Sequence, residues 1–329
     1  MVLYTALFLV LNLGSQLIGA QHLQVGFYNN KCKDAELIVK EEVEKAFAKD
    51  NGIAPGLLRM HFHDTFVRGC DASILIDSTP GNLAEKDGPP NGITLRGFEV
   101  IYNAKARLEA ECEGVVSCAD ILSFAARDSV HITGGMFWEV PAGRRDGRIS
   151  RASETVDIPP PFGNLSVITQ AFRKKGLTQD EMVALLGAHT IGRSHCTSFS
   201  NRLYNFSPTN SQDPTLNRFY ASQLKQECPQ GPGGSIDPNL VVEMNLSPAL
   251  MDPSYFADVL KCRGLFTSDQ TLTTSPQTKN QTEEYAGNGL IWQQDFVAAM
   301  IKMSQIEVLT GAPGERRSEI RSNCRRINP

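Results

Sequence analysis

Eight cysteines, spread from Cys32 to Cys324 behind an N-terminal apolar segment, constrain this chain more than any other feature. They are Cys32, Cys70, Cys112, Cys118, Cys196, Cys228, Cys262 and Cys324, and none sits in the paired Cys-x-x-Cys spacing of a structural zinc site. Residues 2–20, VLYTALFLVLNLGSQLIGA, are apolar, short, and end in the small pair Gly19-Ala20. That pattern reads as a secretory signal peptide over 1–20, cleaved after Ala20, with the mature chain at 21–329 beginning at Gln21. No later stretch is apolar and long enough to cross a bilayer. In an exported chain an even number of cysteines implies disulfides, although spacing alone leaves the connectivity open. Sequons beginning at Asn164, Asn205, Asn245 and Asn280 are potential glycan sites and fit export.

A chain of 329 residues with 41% hydrophobic and 21% charged residues can bury a large core. Its net charge of -4 leaves no dominant basic surface for nucleic acid. The C-terminal cluster Arg316, Arg317, Arg321, Arg325 and Arg326 reads as a solvated terminus. Apolar spacing predicts helices over 34–49, 54–66, 118–130, 164–175, 215–227, 253–261 and 292–304. Thr178 with Glu181 three residues on is a capping box that opens another helix. Segments 77–94, 141–163 and 229–252, rich in Gly, Pro, Asp and Asn, read as loops. Strand-like alternation is scarce, so the expected class is mainly α.

Two short segments carry chemistry. In Arg59-Met60-His61-Phe62-His63-Asp64, helical spacing puts Arg59 and His63 on one face and His61 off it. A neutral imidazole beside a fixed guanidinium suits peroxide. The imidazole takes a proton from one oxygen and returns it to the other, while the guanidinium stabilises the developing charge. In Leu185-Leu186-Gly187-Ala188-His189-Thr190-Ile191-Gly192, a lone histidine ends an apolar helix among small residues, which would let a flat macrocycle approach. Asp269 is the candidate acceptor for its opposite ring N–H. Taken singly, each segment is better read as a satisfied structural histidine.

Taken together, GLLRMHFHDTFVRGCDASIL (56–75), VVSCADIL (115–122), VPAGRRDG (140–147), MVALLGAHTIGRSHC (182–196), GLFTSDQTL (264–272) and IRSNCRRIN (320–328) carry a resemblance over the whole mature chain. The chain resembles the plant secretory (class III) haem peroxidases. That resemblance implies a two-lobed, mainly α fold with haem b between the lobes. It implies reduction of hydrogen peroxide by two electrons, returned one at a time by small phenolic or aromatic donors at an exposed edge. It also implies roles by position: His63 as distal acid–base, Arg59 as distal arginine, Phe62 as the aromatic over the haem, and Asn91 as the partner of His63. Glu85 would link this network to a distal calcium, His189 would be the axial ligand with Asp269 behind it, and the Pro159 carbonyl would face donors. Two calcium sites are implied: a distal one at Asp64, Val67, Gly69, Asp71 and Ser73, and a proximal one at Thr190, Asn245, Ser247, Leu250 and Asp252. The implied disulfides are Cys32–Cys112, Cys118–Cys324 and Cys196–Cys228. A monomer, free of nucleic acid and membrane, is expected in the extracellular space or cell wall.

The chain departs from its family in three places. Thr65 stands where the family has the cysteine that pairs with the position of Cys70, and Cys262 lies where the family has none. Either Cys70 and Cys262 pair with each other, or both are buried free thiols. Asn245 replaces a family aspartate in a segment, NLSPALMD, that is one residue short, which predicts weaker calcium binding there. Met244 replaces a phenylalanine near His189. Two rival functions remain at this point. One is a hydrolase that binds metal through His61 and His63; the other is a secreted binding protein that kept the fold without the activity.

Overall fold

The computed structural model describes residues 23–312 and 314–329. The expected signal peptide and Gln21 lie outside the described residues. The long helices are α1 (Ala35–Phe47), α2 (Ile53–Arg68), α3 (Phe98–Glu111), α4 (Cys118–Ile132), α5 (Leu165–Lys174), α6 (Gln179–Leu186), α8 (Arg218–Glu227), α11 (Pro276–Gly287) and α12 (Gly289–Met303). Shorter ones are α7 (Ser200–Leu203), α9 (Ser254–Leu260) and α10 (Thr267–Gln270). Strands are few, as expected. Antiparallel pairs join β1 (Asp146–Gly147) to β4 (Ser318–Glu319) and β2 (Arg193–His195) to β3 (Val241–Glu243). No helix among the described residues is long and apolar enough to cross a membrane.

The helices start where the sequence places caps. Thr178 accepts the Glu181 N–H at 3.1 Å while the Glu181 carboxylate accepts the Thr178 N–H at 2.7 Å, the reciprocal box expected at the start of α6. Asn164 caps α5 through the Val167 N–H, and Ser117 caps α4 through the Asp120 N–H. Helix α4 is buried on nearly every face and packs along α2. The large core around it joins Leu57, Phe66, Leu122 and Phe124 to Phe172, Met182, Phe256, Trp292 and Phe296. A second, smaller core under α8 holds Phe199, Leu203, Leu224, Val242 and Leu265.

The motif VPAGRRDG is a polar knot inside the fold. Asp120 accepts the Tyr28 hydroxyl at 2.6 Å, the Gly143 N–H at 2.8 Å and the Arg144 guanidinium at 2.7 Å. Arg144 also donates to the Ser304 carbonyl beyond α12. Asp146 accepts N–H groups from Ala119 and Arg321, tying α4 to the C-terminal tail. Each buried charge is thus paired and hydrogen-bonded. This corrects one expectation: Arg321 is not solvated. It is fully buried and donates to the Ala72 and Cys324 carbonyls.

The three implied disulfides are present, Cys32–Cys112, Cys118–Cys324 and Cys196–Cys228. A Cys70–Cys262 bond is not. Cys70 is buried under the Thr65 hydroxyl (3.0 Å) and the Met303 carbonyl (3.3 Å) at the end of α12. Cys262 is exposed, in the left-handed turn that ends α9, so the alternative of two buried thiols also fails for it. The two thiols belong to different parts of the fold, and being left over does not bring them together.

Candidate active site

A cavity of about 970 Å³ separates α2 from the segment that follows α6. One wall carries Leu58, Arg59, Phe62 and His63 from α2, with Pro89, Pro90 and Thr94 from the following loop. The opposite wall carries Leu185, Ala188, His189, Met244, Phe266 and Ser268. The mouth is lined by Val156 and Pro159 to Phe162. Most of its lining surface is apolar, interspersed with arginine, histidine and hydroxyl side chains, a make-up that suits a cofactor with both apolar and charged parts.

Helix spacing brings Arg59 and His63 to this wall one turn apart. His63 is buried, and its Nδ1 lies 2.5 Å from the Asn91 carboxamide oxygen. The Asn91 amide in turn donates to the main-chain carbonyl of Glu85 at 2.6 Å. Because that donation fixes which end of the amide faces the ring, the Asn91 oxygen accepts from Nδ1–H and Nε2 keeps its lone pair. Burial, then the Arg59 charge, hold the His63 imidazole well below its usual range, so it is neutral. The Arg59 guanidinium is anchored by carbonyls, Thr94 at 2.8 Å and Pro90 at 2.8 Å. Burial lowers it only to about 10, so it stays charged at neutral pH. His61 faces the core instead. It does not line the cavity, and burial pushes it down to about 3. Two histidines on different faces of one helix do not form a metal pair, which removes the footing of the hydrolase reading.

On the opposite wall His189 ends the turn after α6, with Nδ1 2.8 Å from the Asp269 carboxylate. Asp269 is fully buried and also accepts the Phe266 N–H at 2.8 Å and the Tyr255 hydroxyl at 3.1 Å. Tyr255 escaped the sequence reading, since nothing in its local pattern marks it. The Phe266 ring stands edge-on to His189 at 5.2 Å. Ala188 and Gly192 line the cavity as expected, but Gly187 does not. A Cβ there would lie 2.3 Å from the Trp292 indole nitrogen, so packing against α12 demands this glycine.

The residues named for a distal cation gather where α2 turns back. Gly69 ends the helix at φ 87, where a Cβ would lie 2.5 Å from that of Glu307. Asp64 accepts the N–H groups of Ala72 and Ile74, closing the loop. Asp64, Asp71 and Ser73 are buried, and the Ser73 hydroxyl and both Glu85 carboxylate oxygens have no partner among the described residues. Burial, and after it the charges of Asp64 and Asp71, push Glu85 up to about 9. Asp64 is raised well above the carboxylate range by burial and by Asp71, and Asp71 is raised by burial. Unsatisfied oxygens facing mutually repelling carboxylates are the chemistry of a site that wants a cation. No three His, Cys, Asp or Glu side chains among the described residues close on one point, so backbone carbonyls would have to complete it. Of these, Val67 O already accepts the Lys175 ammonium at 3.2 Å and Gly69 O the Asp71 N–H at 2.8 Å. Glu85 reaches Asn91 through its main chain, not through its carboxylate. Thr190, Asn245, Ser247 and Asp252 also meet, after β3, while the exposed Leu250 turns its carbonyl to the Asp252 N–H.

A helical fold that presents one histidine to each wall of a single apolar cavity, with arginine beside the first and a buried carboxylate behind the second, is that of a haem peroxidase. A family model described as Peroxidase matches residues 39–288. The chain is 63% identical over 308 residues to Peroxidase 5 of Vitis vinifera, covering 93% of this chain and 92% of that protein. It is 45% identical to Peroxidase 1 of Zea mays, covering 93% and 83%. It is also 45% identical to Peroxidase 64 of Arabidopsis thaliana, covering 93% of each. The chain belongs to the peroxidase family, among the plant class III enzymes. Its activity is the peroxide-dependent oxidation of a donor, and the family implies haem.

Proposed function

We propose that His63 is the acid–base of peroxide reduction, Arg59 its electrostatic partner, and Asn91 the residue that positions it. The observation that carries this is the chain His63–Asn91–Glu85 main chain beside a guanidinium fixed by two carbonyls. A neutral Nε2 facing the cavity accepts the first peroxide proton. Arg59 holds the negative charge that grows on the departing oxygen, and His63 returns the proton to it as water forms. Phe62 lines the cavity beside His63, with ring centres 5.7 Å apart, and would lie against the haem.

The cavity fits haem b. Its walls are apolar, and His189, with Nδ1 given to Asp269, has one free ring nitrogen turned to it. His189 would be the axial ligand, with Asp269 strengthening it as a donor. Bound there, haem would supply the two electrons that reduce peroxide and would regain them one at a time from donors.

Small phenolic or aromatic donors would enter at the mouth formed by Val156 and Pro159 to Phe162. The Pro160 and Pro161 carbonyls accept the Gly163 and Ser268 N–H groups, whereas the Pro159 carbonyl accepts none among the described residues and is free for a donor hydroxyl. The distal loop supports one calcium, held by Asp64, Asp71, Ser73 and the carbonyls of Val67 and Gly69, with Glu85 behind. The disulfides and the leader read over 1–20 support secretion to the cell wall or extracellular space, in phenolic metabolism, and the family resemblance implies a monomer. The test is stopped-flow absorption of the haem-loaded protein mixed with hydrogen peroxide. A rapid spectral change lost in His63→Ala is expected. An unchanged rate in that variant would refute the assignment.

A further inference from the structure

A loop that binds a cation converges oxygens on one point and leaves their lone pairs for the ion. The distal loop keeps that signature in its partnerless Ser73 and Glu85 oxygens. The loop between β3 and α9 is built the other way, because its oxygens converge on a nitrogen. Asn245, only 9% exposed, points Nδ2 at the Thr190 carbonyl (2.7 Å), the Ser254 hydroxyl (2.9 Å) and the Thr190 hydroxyl (3.1 Å). The direction of the amide is fixed. Its Oδ1 accepts the Ser247 N–H at 2.8 Å, and turning it over would set N–H against that N–H and oxygen against the Thr190 carbonyl.

The other oxygens accept hydrogen bonds as well, as Asp64, Val67 and Gly69 do in the distal loop, so it is the amide at the centre that sets this loop apart. Asp252 Oδ1 accepts from the Thr190 hydroxyl and the Ser254 N–H, both at 3.0 Å, and Oδ2 from the Ser247 hydroxyl at 2.9 Å. The Leu250 carbonyl accepts the Asp252 N–H at 2.9 Å. A cation entering here would have to break the amide's bonds, and would meet a single carboxylate in return.

We infer that the Asn245 amide takes the place of a second cation, so that this loop is closed without metal. The distal loop alone would then bind calcium. That count rests on the proposed reading of the distal loop, but the inference about Asn245 does not. Two of the residues that accept from the amide are Thr190, next to His189, and Ser254, next to Tyr255. The amide therefore fixes the backbone on both sides of the His189–Asp269–Tyr255 group without an ion that chelators could remove.

The test is equilibrium dialysis of the haem-loaded, metal-stripped protein against radioactive calcium, for the wild type, Asn245→Asp and Asp64→Asn. One equivalent is expected in the wild type, none in Asp64→Asn, and one more than wild type in Asn245→Asp. Two equivalents in the wild type would overturn the inference, as would one equivalent surviving in Asp64→Asn. A folded Asn245→Asp that gains nothing would also overturn it, since the loop and not the amide would then exclude the ion. No calcium in the wild type with one equivalent in Asn245→Asp would uphold the inference and sink the distal reading instead.

Discussion

Replacing Asn91 by alanine tests the positioning of the base without touching it. In the native protein the Nδ1–H of His63 is held by the Asn91 oxygen at 2.5 Å, and both side chains are buried. Removing the amide leaves a buried N–H without an acceptor, a cost of about 1–3 kcal/mol. The tautomer that presents the Nε2 lone pair loses that support. If the whole cost falls on the reactive arrangement, reaction with peroxide slows by roughly 5- to 160-fold. The pH dependence separates this from general damage. The Asn91 bond raises the His63 pKa, against burial and Arg59, which lower it. With the neutral ring as the proposed base, rate is lost as pH falls through that pKa. Without Asn91 the pKa falls further, and the acid limb moves to lower pH while the plateau drops. Stopped-flow rates of the haem-loaded protein, from neutral to acid pH, give both quantities. An unchanged plateau, or an acid limb that moves upward, would refute the reasoning.

Three further outcomes follow from other parts of the molecule. Thr65→Cys should close a disulfide with Cys70, because the Thr65 hydroxyl already lies 3.0 Å from the thiol. A loop of about six residues implies a gain of about 2 kcal/mol, visible as a higher denaturant midpoint that reductant abolishes; equal midpoints would count against it. In the metal-stripped protein Glu85 is raised to about 9, so the folded state holds more protons than the unfolded state from about pH 4.3 upward. Its melting temperature should therefore fall between pH 5 and pH 9, and calcium should flatten that slope; a level profile without metal would contradict it. Finally, the Asn245 amide uses both hydrogens inside the protein, so glycopeptide mapping of protein secreted from a plant host should find that sequon bare. A glycan on Asn245 is incompatible with the geometry.

How far the sequence could be read depended on where each residue's partners lie. Helices with an apolar stripe or a cap, such as α1, α4, α5 and α6, were legible within a residue or two. Helix α3 was missed although Val100, Ile101, Ala104 and Leu108 form a helical stripe, because its start is marked only by Gly97 at φ 98. Helix α11 buries only Thr278, Thr282 and Tyr285, so neighbouring helices and not its own pattern make it helical. The motif residues of the cavity came from resemblance; their spacing alone was compatible with ordinary structural histidines. Asp120 and Arg321 could not have been read locally. Asp120 meets Tyr28 and Arg144, and Arg321 meets Ala72, contacts that only the closed fold creates. The Cys70–Cys262 expectation failed for the same reason, since counting leftover thiols says nothing about distance.

The two cavity histidines show why the chain needs two walls. Both rings donate Nδ1–H to an oxygen behind them and turn Nε2 to the cavity, yet the oxygens differ in charge. Asn91 offers a neutral amide, and the charge near His63 is the Arg59 cation, so that ring is kept neutral and releases a proton readily after taking it. Asp269 offers a full carboxylate, dried by burial and braced by Tyr255 and the Phe266 N–H, so the ring of His189 is pushed toward electron donation. Exchanging the two partners would give a distal ring that holds its proton and a proximal ring that donates weakly. On the proposed assignment, a single cavity would carry proton transfer on one wall and electron donation on the other because the fold sets a cation beside one imidazole and an anion behind its counterpart.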